Sequence, residues 1–302
     1  MNWIAIALLP PLFSALANHV DKILVDKYIR SRGVGGLVIF SALFSVVTLP
    51  IIWTIEPTVV NIGWSTGVLL ALNDFLAIAA ILCYFYALTY DEATLVVPYY
   101  QTIPIFAFIL GYVFLGETLT SQQLFAGGLI LLGALVLSFN IGARVSLRLR
   151  VALLMITASL LFAINGVFFK IIAEDAGFWV GTFWGFVGKV IAGILLLLFV
   201  RSYRRDFIYL LNGNTAKILL FVIVSESLFI LAESITQYAL LLAPVALVLL
   251  LNAFQPFFVF IIGIILTFTL PRLVHESTNT LALVHKIIAI ALLFYGTILI
   301  SI

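Results

Sequence analysis

Ten apolar runs follow one another along the chain, separated by short polar stretches. They read as 3–25, 35–54, 63–89, 93–115, 121–140, 149–172, 178–200, 215–241, 245–270 and 281–301. Each is close to the ~20 residues that a helix needs to cross a bilayer. The runs are continuous and lack the two-residue alternation of barrel strands, so helices are meant. The predicted fold is an all-α integral membrane protein with ten transmembrane helices. The longest connections, around 201–214 and 271–280, read as short polar loops.

Within this pattern the stretch 72–111 occurs largely a second time at 224–263. A shift of 152 positions lays Tyr86-Ala87-Leu88 on Tyr238-Ala239-Leu240 and Leu95-Val96 on Leu247-Val248. It also lays Pro104 on Pro256, Gly111 on Gly263, and Asp74 on Glu226. Matches among Leu, Ala and Ile carry little weight in so apolar a chain, whereas matched prolines, glycines and intramembrane acids do. The pattern predicts an internal duplication into two five-helix repeats, 1–142 and 143–302.

Composition decides the solvent. Of 302 residues, 64% are hydrophobic and only 9% charged, with a mean hydropathy of +1.27. Soluble domains carry about a quarter charged residues. The net charge of +2 is spread along the chain with no basic face, so nucleic acid is excluded as a partner. The single cysteine, Cys83, rules out an intramolecular disulfide. Ala15-Leu16-Ala17 has the small-x-small form of a cleavage site, but Pro10-Pro11 interrupts the apolar segment before it. That segment is read as a retained span.

The positive charges orient the chain. Lys27, Arg30 and Arg32 lie in the first loop, Arg144, Arg148 and Arg150 in the fifth, and Arg201, Arg204 and Arg205 in the seventh. Lys217 follows just beyond the seventh, and Arg272 lies in the ninth. Glu56, Asp91, Glu92, Glu117, Glu174 and Asp175 occupy the second, third, fourth and sixth loops, which carry no Lys or Arg. The odd loops with basic residues are therefore predicted cytoplasmic and both termini extracytoplasmic. An odd number of spans per repeat inserts the second copy upside down. Inverted repeats point to secondary transport, with a site near the midplane between them.

An ionisable side chain near the bilayer centre costs about 2.5–3.5 kcal/mol on insertion scales, so each calls for a reason. Asp74 lies midway along the third run and Glu226 midway along the eighth. Glu226, Glu233 and Gln237 share one helical face. Lys189 follows Gly181, Gly185 and Gly188, which permit close helix approach. Asn73, Asn165, Asn252 and Gln255 add uncharged donors and acceptors, and Tyr100 and Trp184 are placed to line a pocket. Together these residues are the candidate substrate- or ion-binding set: carboxylates for a cation or proton, with Lys189 as counter-charge. The alternative is a set of structural ion pairs, such as Lys189 with Glu226, with the amides as interhelical glue; Gln101 reads as such glue. Asp21, Lys22, Lys170 and His19 lie near span ends, where they can snorkel, and read as structural. Pro98, Pro104 and Pro256 interrupt the backbone ladder inside the membrane and are candidate hinges. His19, His275 and His285 show no metal-ligand spacing. No Gly-rich phosphate loop is present, and Asp74 is the only aspartate deep in a span, so no catalytic constellation, metal or cofactor is expected.

Pro104, Leu115-Gly116-Glu117, Thr118-Leu119-Thr120, Gln123, Gly127 and Gly133 resemble the EamA-type repeat of the drug/metabolite transporter superfamily. The second half departs from it: 267–280 replaces the Leu-Gly-Glu turn with a longer, proline-containing loop, and Glu276 is only a loose counterpart of Glu117. The resemblance implies a secondary transporter of small metabolites, amino acids or drugs, often outward. The expectation is a cell-membrane carrier, lipid-embedded, exporting a small organic solute by alternating access with proton coupling. Glu117 reads first as a turn or cap residue and second as a coupling acid. The alternatives from other classes are a non-transporting subunit for lipid handling or assembly and, third, an intramembrane enzyme.

Overall fold

A computed structural model describes residues 3–24, 35–90, 96–138, 149–212, 216–269 and 280–301, and every regular element among them is helical. Eight segments are long and apolar enough to span a membrane: Trp3–Asp21, Gly35–Ile55, Trp64–Ala87, Pro98–Leu115, Leu149–Ala176, Phe178–Phe199, Leu219–Leu240 and Val245–Thr267. Two shorter apolar helices, Ser121–Leu137 and Lys286–Ser301, fall below that length.

In chain order the helices are α1 (Trp3–Ala7), α2 (Leu9–Leu24), α3 (Gly35–Phe44), α4 (Thr48–Ile55), α5 (Trp64–Tyr90), α6 (Ile103–Leu115) and α7 (Ser121–Ser138). They continue with α8 (Leu149–Ala176), α9 (Phe178–Phe199), α10 (Arg201–Asn212), α11 (Ala216–Leu240), α12 (Val245–Leu251), α13 (Gln255–Thr269) and α14 (Thr280–Ser301). Residues 201–214, read from sequence as a loop, are mostly helix. In α10 the apolar Phe207, Ile208, Leu210 and Leu211 recur among Arg201, Arg204, Arg205 and Asp206, which is an amphipathic pattern too polar to cross. Its backbone at Asp206 and the Tyr203 ring lie against Gly36 and Gly35 of α3, where a Cβ would come within 3 Å of them.

Each matched proline falls in the first turn of a helix. Pro98 opens a 3-10 turn, Val97–Thr102, and Pro104 sits in the first turn of α6. In the later half α12 passes through a second 3-10 turn, Asn252–Phe254, into α13, whose second residue is Pro256. A first-turn proline lacks only an N–H that has no helical partner there, so the interruption costs little. Pro10 and Pro11 likewise lie in the first turn of α2.

Packing is paired across the chain. α5 packs along α8 and α2 along α11; α6 packs on α8 and α13 on α2; α7 packs on α14, and α3 and α4 on α9. Glycines set the closest approaches. A Cβ on Gly133 of α7 would come 2.7 Å from the Ala289 carbonyl of α14, and one on Gly296 would meet Ala126 O at 2.8 Å. Gly188 of α9 lies against the backbone of Ala71 in α5, where a Cβ would clash with the carbonyl. Large apolar side chains cover the outside: Val113, Phe125, Leu198 and Phe199 are all more than half exposed, which suits lipid and not water.

Two glycine substitutions separate packing from propensity. Gly188→Ala forces α5 and α9 apart and is expected to lower stability by about 1–3 kcal/mol. Gly128→Ala, where a Cβ meets nothing within 4 Å, is expected to be neutral or slightly stabilising. Thermal unfolding of both variants in detergent checks the contrast.

Candidate functional site

Three helices bring the intramembrane charges together. Asp74 lies near the middle of α5, Lys189 near the middle of α9, and Glu226 and Glu233 two helical turns apart on α11. Lys189 forms an ion pair with Glu233 and lies close enough to Asp74 and Glu226 for each carboxylate to act on it. Glu226 does not pair with Lys189; it accepts a hydrogen bond from Ser41 of α3 at 2.6 Å. The sequence suggested Lys189 with Glu226 as the structural pair, but the lysine reaches the acid two turns farther along α11.

Asp74 owes its place to a missing side chain opposite. A Cβ on Gly185 would clash with the Asp74 Oδ2, so glycine here leaves the room that the carboxyl occupies between α5 and α9. Asp74 is 1% exposed, and its Oδ1 has no hydrogen-bond partner. Beside it Asn73 and Asn165 exchange bonds with each other's backbone, Asn73 Nδ2 to Asn165 O at 3.0 Å and Asn165 Nδ2 to Asn73 O at 3.1 Å. This locks α5 to α8 next to the acid. The Asn73 Oδ1 is left without a partner, as is the Oε1 of buried Gln237, one turn beyond Glu233. Asp21 of α2, read from sequence as an end-of-span residue, accepts from Ser225 of α11 and is felt electrostatically by Glu226. The cluster therefore runs from Asp21 through Glu226 and Lys189–Glu233 to Asp74.

Other candidates lie at its edge or apart. Tyr100 stacks on Tyr84 at 5.3 Å between ring centres and meets Phe162 edge-on at 5.9 Å, with Tyr84 near enough to Asp21 to sense its charge. Trp184 does not join the charges: its Nε1 donates to Val59 O at 2.9 Å, and its ring covers Gly67. Asn252 and Gln255 flank the 3-10 turn between α12 and α13 and are half-buried. Ser41, Ser225 and Asp21 were missed as members of the cluster, since hydroxyls in apolar runs give no signal until a carboxylate is folded against them. The side chain of Lys22 and the loop containing Glu276 lie outside the described residues. His19 does not snorkel; its Nε2 makes a 3.0 Å hydrogen-bond contact with Val259 O of α13.

A second charged group joins the two halves elsewhere. Gly116 ends α6 in the left-handed region at φ +66, and the Glu117 N–H then donates to Gly111 O at 3.1 Å. This reversal lays the Glu117 carboxylate over Gly111, where a Cβ would stand 2.8 Å from Oε2. Oε1 accepts from Lys170 of α8 at 2.7 Å and Oε2 from the Val245 N–H that begins α12 at 2.8 Å. Lys170 also donates to Ala243 O at 2.8 Å. Lys170 is thus a buried ion-pair member rather than a snorkelling lysine, and Leu115-Gly116-Glu117 is a staple between α6, α8 and α12.

A solved structure titled only as the crystal structure of a protein superposes with a TM-score of 0.71, covering 99% of this chain and 96% of that one at 14% identity, so the likeness is of fold. No curated protein matches the sequence. Residues 1–139 match the model of the EamA-like transporter family, the family that the Leu115-Gly116-Glu117 stretch resembles. With its apolar helices, this makes the chain a multi-pass membrane protein.

The staple predicts coupled losses. Removing one partner of a buried pair typically costs about 3–5 kcal/mol, because the other charge is left buried. Glu117→Gln and Lys170→Met are each expected to lower stability by a few kcal/mol, and the double variant by less than their sum. A double-mutant cycle of unfolding in detergent measures that coupling.

Proposed function

We propose that this EamA-type protein is a secondary carrier that moves a small organic solute across a cell membrane by alternating access, outward and coupled to protons. The observation that carries the proposal is the cluster of Asp74, Lys189, Glu233 and Glu226 midway along three spanning helices, because ionisable side chains at that depth mark a ligand site or a proton path. In this reading all ten apolar helices cross, with 1–142 and 143–302 as inverted repeats and both termini outside the cytoplasm. The paired packing supports this: exchanging the halves turns α5 on α8 into α11 on α2 and α6 on α8 into α13 on α2, while α7 on α14 maps onto itself. The two 3-10 turns before Pro104 and Pro256 fall at corresponding places and supply flexible joints beside the site.

The charges then have distinct tasks. Asp74 and Glu226 exchange the coupling proton, Lys189 compensates the cluster while no solute is bound, and Ser41 and the Asn73–Asn165 bonds hold the acids in place. Solute binding on one side and release on the other follow from rearrangement of α5, α9 and α11 about the cluster.

A metabolite screen by thermal shift on the purified protein supplies a solute for flux. In proteoliposomes, Asp74→Asn and Glu226→Gln are each expected to abolish pH-gradient-driven flux of that solute while keeping a wild-type unfolding profile. Full gradient-driven flux in both variants rules the coupling out. In a Cys83→Ala background, Ser41→Cys is expected to react with a hydrophilic thiol reagent added to whole cells or inverted vesicles. Resistance from both sides contradicts a water-accessible site.

A further inference from the structure

Among the described residues the cluster is unbalanced. Three carboxyl groups, Asp74, Glu226 and Glu233, share one ammonium, Lys189, and a fourth, Asp21, lies near Glu226. Lys189 is committed to Glu233, while Glu226 and Asp21 each take one hydroxyl donor, from Ser41 and Ser225. Asp74 Oδ1 is left over, in a side chain 99% buried by its 1% exposure. Its neighbours repeat the deficit: Asn73 Oδ1 and Gln237 Oε1 are also without partners, in residues each 6% exposed. These three atoms are acceptors; a fourth buried atom without a partner, the Thr182 hydroxyl of α9, can donate as well as accept. A buried acceptor with no donor costs about 1–3 kcal/mol, and more when charged, so the site is complementary to a ligand that donates.

We infer that this cluster binds a small organic amine in its ammonium form, with Asp74 as the main carboxylate partner. The inference rests on the carrier reading above and names its substrate class. An ammonium offers two or three N–H donors, no acceptor and one positive charge, which matches orphan acceptors beside excess negative charge. An anion would meet four carboxylates, and a neutral solute would leave the imbalance as it is. Lys189 acts as a tethered ammonium that the free amine displaces in part from the acids. Aromatic rings lie beside the cluster for the amine's carbon body: Tyr84, Tyr100 and Phe162 pack in a run, tilted and then edge-on, that begins near Asp21. The faces of such rings attract a cation and its apolar substituent together.

The test uses three probes of nearly equal size that differ in charge: phenethylamine, 3-phenylpropionate and 2-phenylethanol. Thermal unfolding of the purified full-length protein is followed against the concentration of each at neutral pH. Phenethylamine is expected to raise the unfolding midpoint and the other two to leave it unchanged. Asp74→Asn is expected to weaken phenethylamine about tenfold or more, the loss of one charge-assisted bond. If that variant does not fold, Glu226→Gln is expected to weaken it in the same direction. Stabilisation by 3-phenylpropionate, equal effects of all three probes, no effect of phenethylamine, or binding indifferent to both variants overturns the inference. Flux separates it from the carrier reading. Phenethylamine that binds through Asp74 but does not enter proteoliposomes overturns the carrier and leaves the amine site. Carriage of 3-phenylpropionate but not phenethylamine overturns the amine and leaves the carrier.

Discussion

The ion pair between Lys189 and Glu233 is the constraint around which the central helices are arranged. A lone ammonium or carboxylate at that depth costs more than a helix contact returns, so α9 and α11 must bring the two together. The close approach this needs is supplied by glycine: Gly188 lets α9 touch the backbone of α5, and Gly185 leaves the space that the Asp74 carboxyl fills. Substituting bulk at either position would move the charges as well as the helices. The same residues that set the packing distance therefore set the electrostatics of the candidate site.

Away from that centre, Glu117 performs the opposite task with the same kind of chemistry. Each oxygen of its carboxylate has a donor, the Lys170 ammonium and the Val245 N–H, and Lys170 also donates to Ala243 O with Glu174 3.8 Å away. A pair held on both sides by these bonds serves as a joint. Asp74 Oδ1 has no partner and so has a bond left to accept. Satisfaction, rather than burial or charge, separates the structural acid from the candidate functional one. The later half has Gly263 where the earlier has Gly111, but α13 runs on past it to Thr269 without a left-handed glycine end.

Apolar continuity over about 20 residues, too few charges for a soluble surface, and loops rich in turn residues are local properties, so the sequence by itself determined that the chain is helical and membrane-embedded. The matched Asp74 and Glu226, and the run Leu115-Gly116-Glu117, were legible for the same reason: each stands out against its immediate surroundings. So was the break near each matched proline, although not that Pro104 and Pro256 would begin helices. α10 was lost among arginines, because charge content masked an amphipathic period. Partnership is what only the tertiary structure decided. That Lys189 reaches Glu233 and not Glu226, that Ser41 and Ser225 serve acids 185 and 204 residues away, and that Trp184 turns from the charges to Val59 depend on how helices cross. Crossing is set by where glycines permit contact between helices distant in sequence, a quantity to which no single stretch of chain contributes alone.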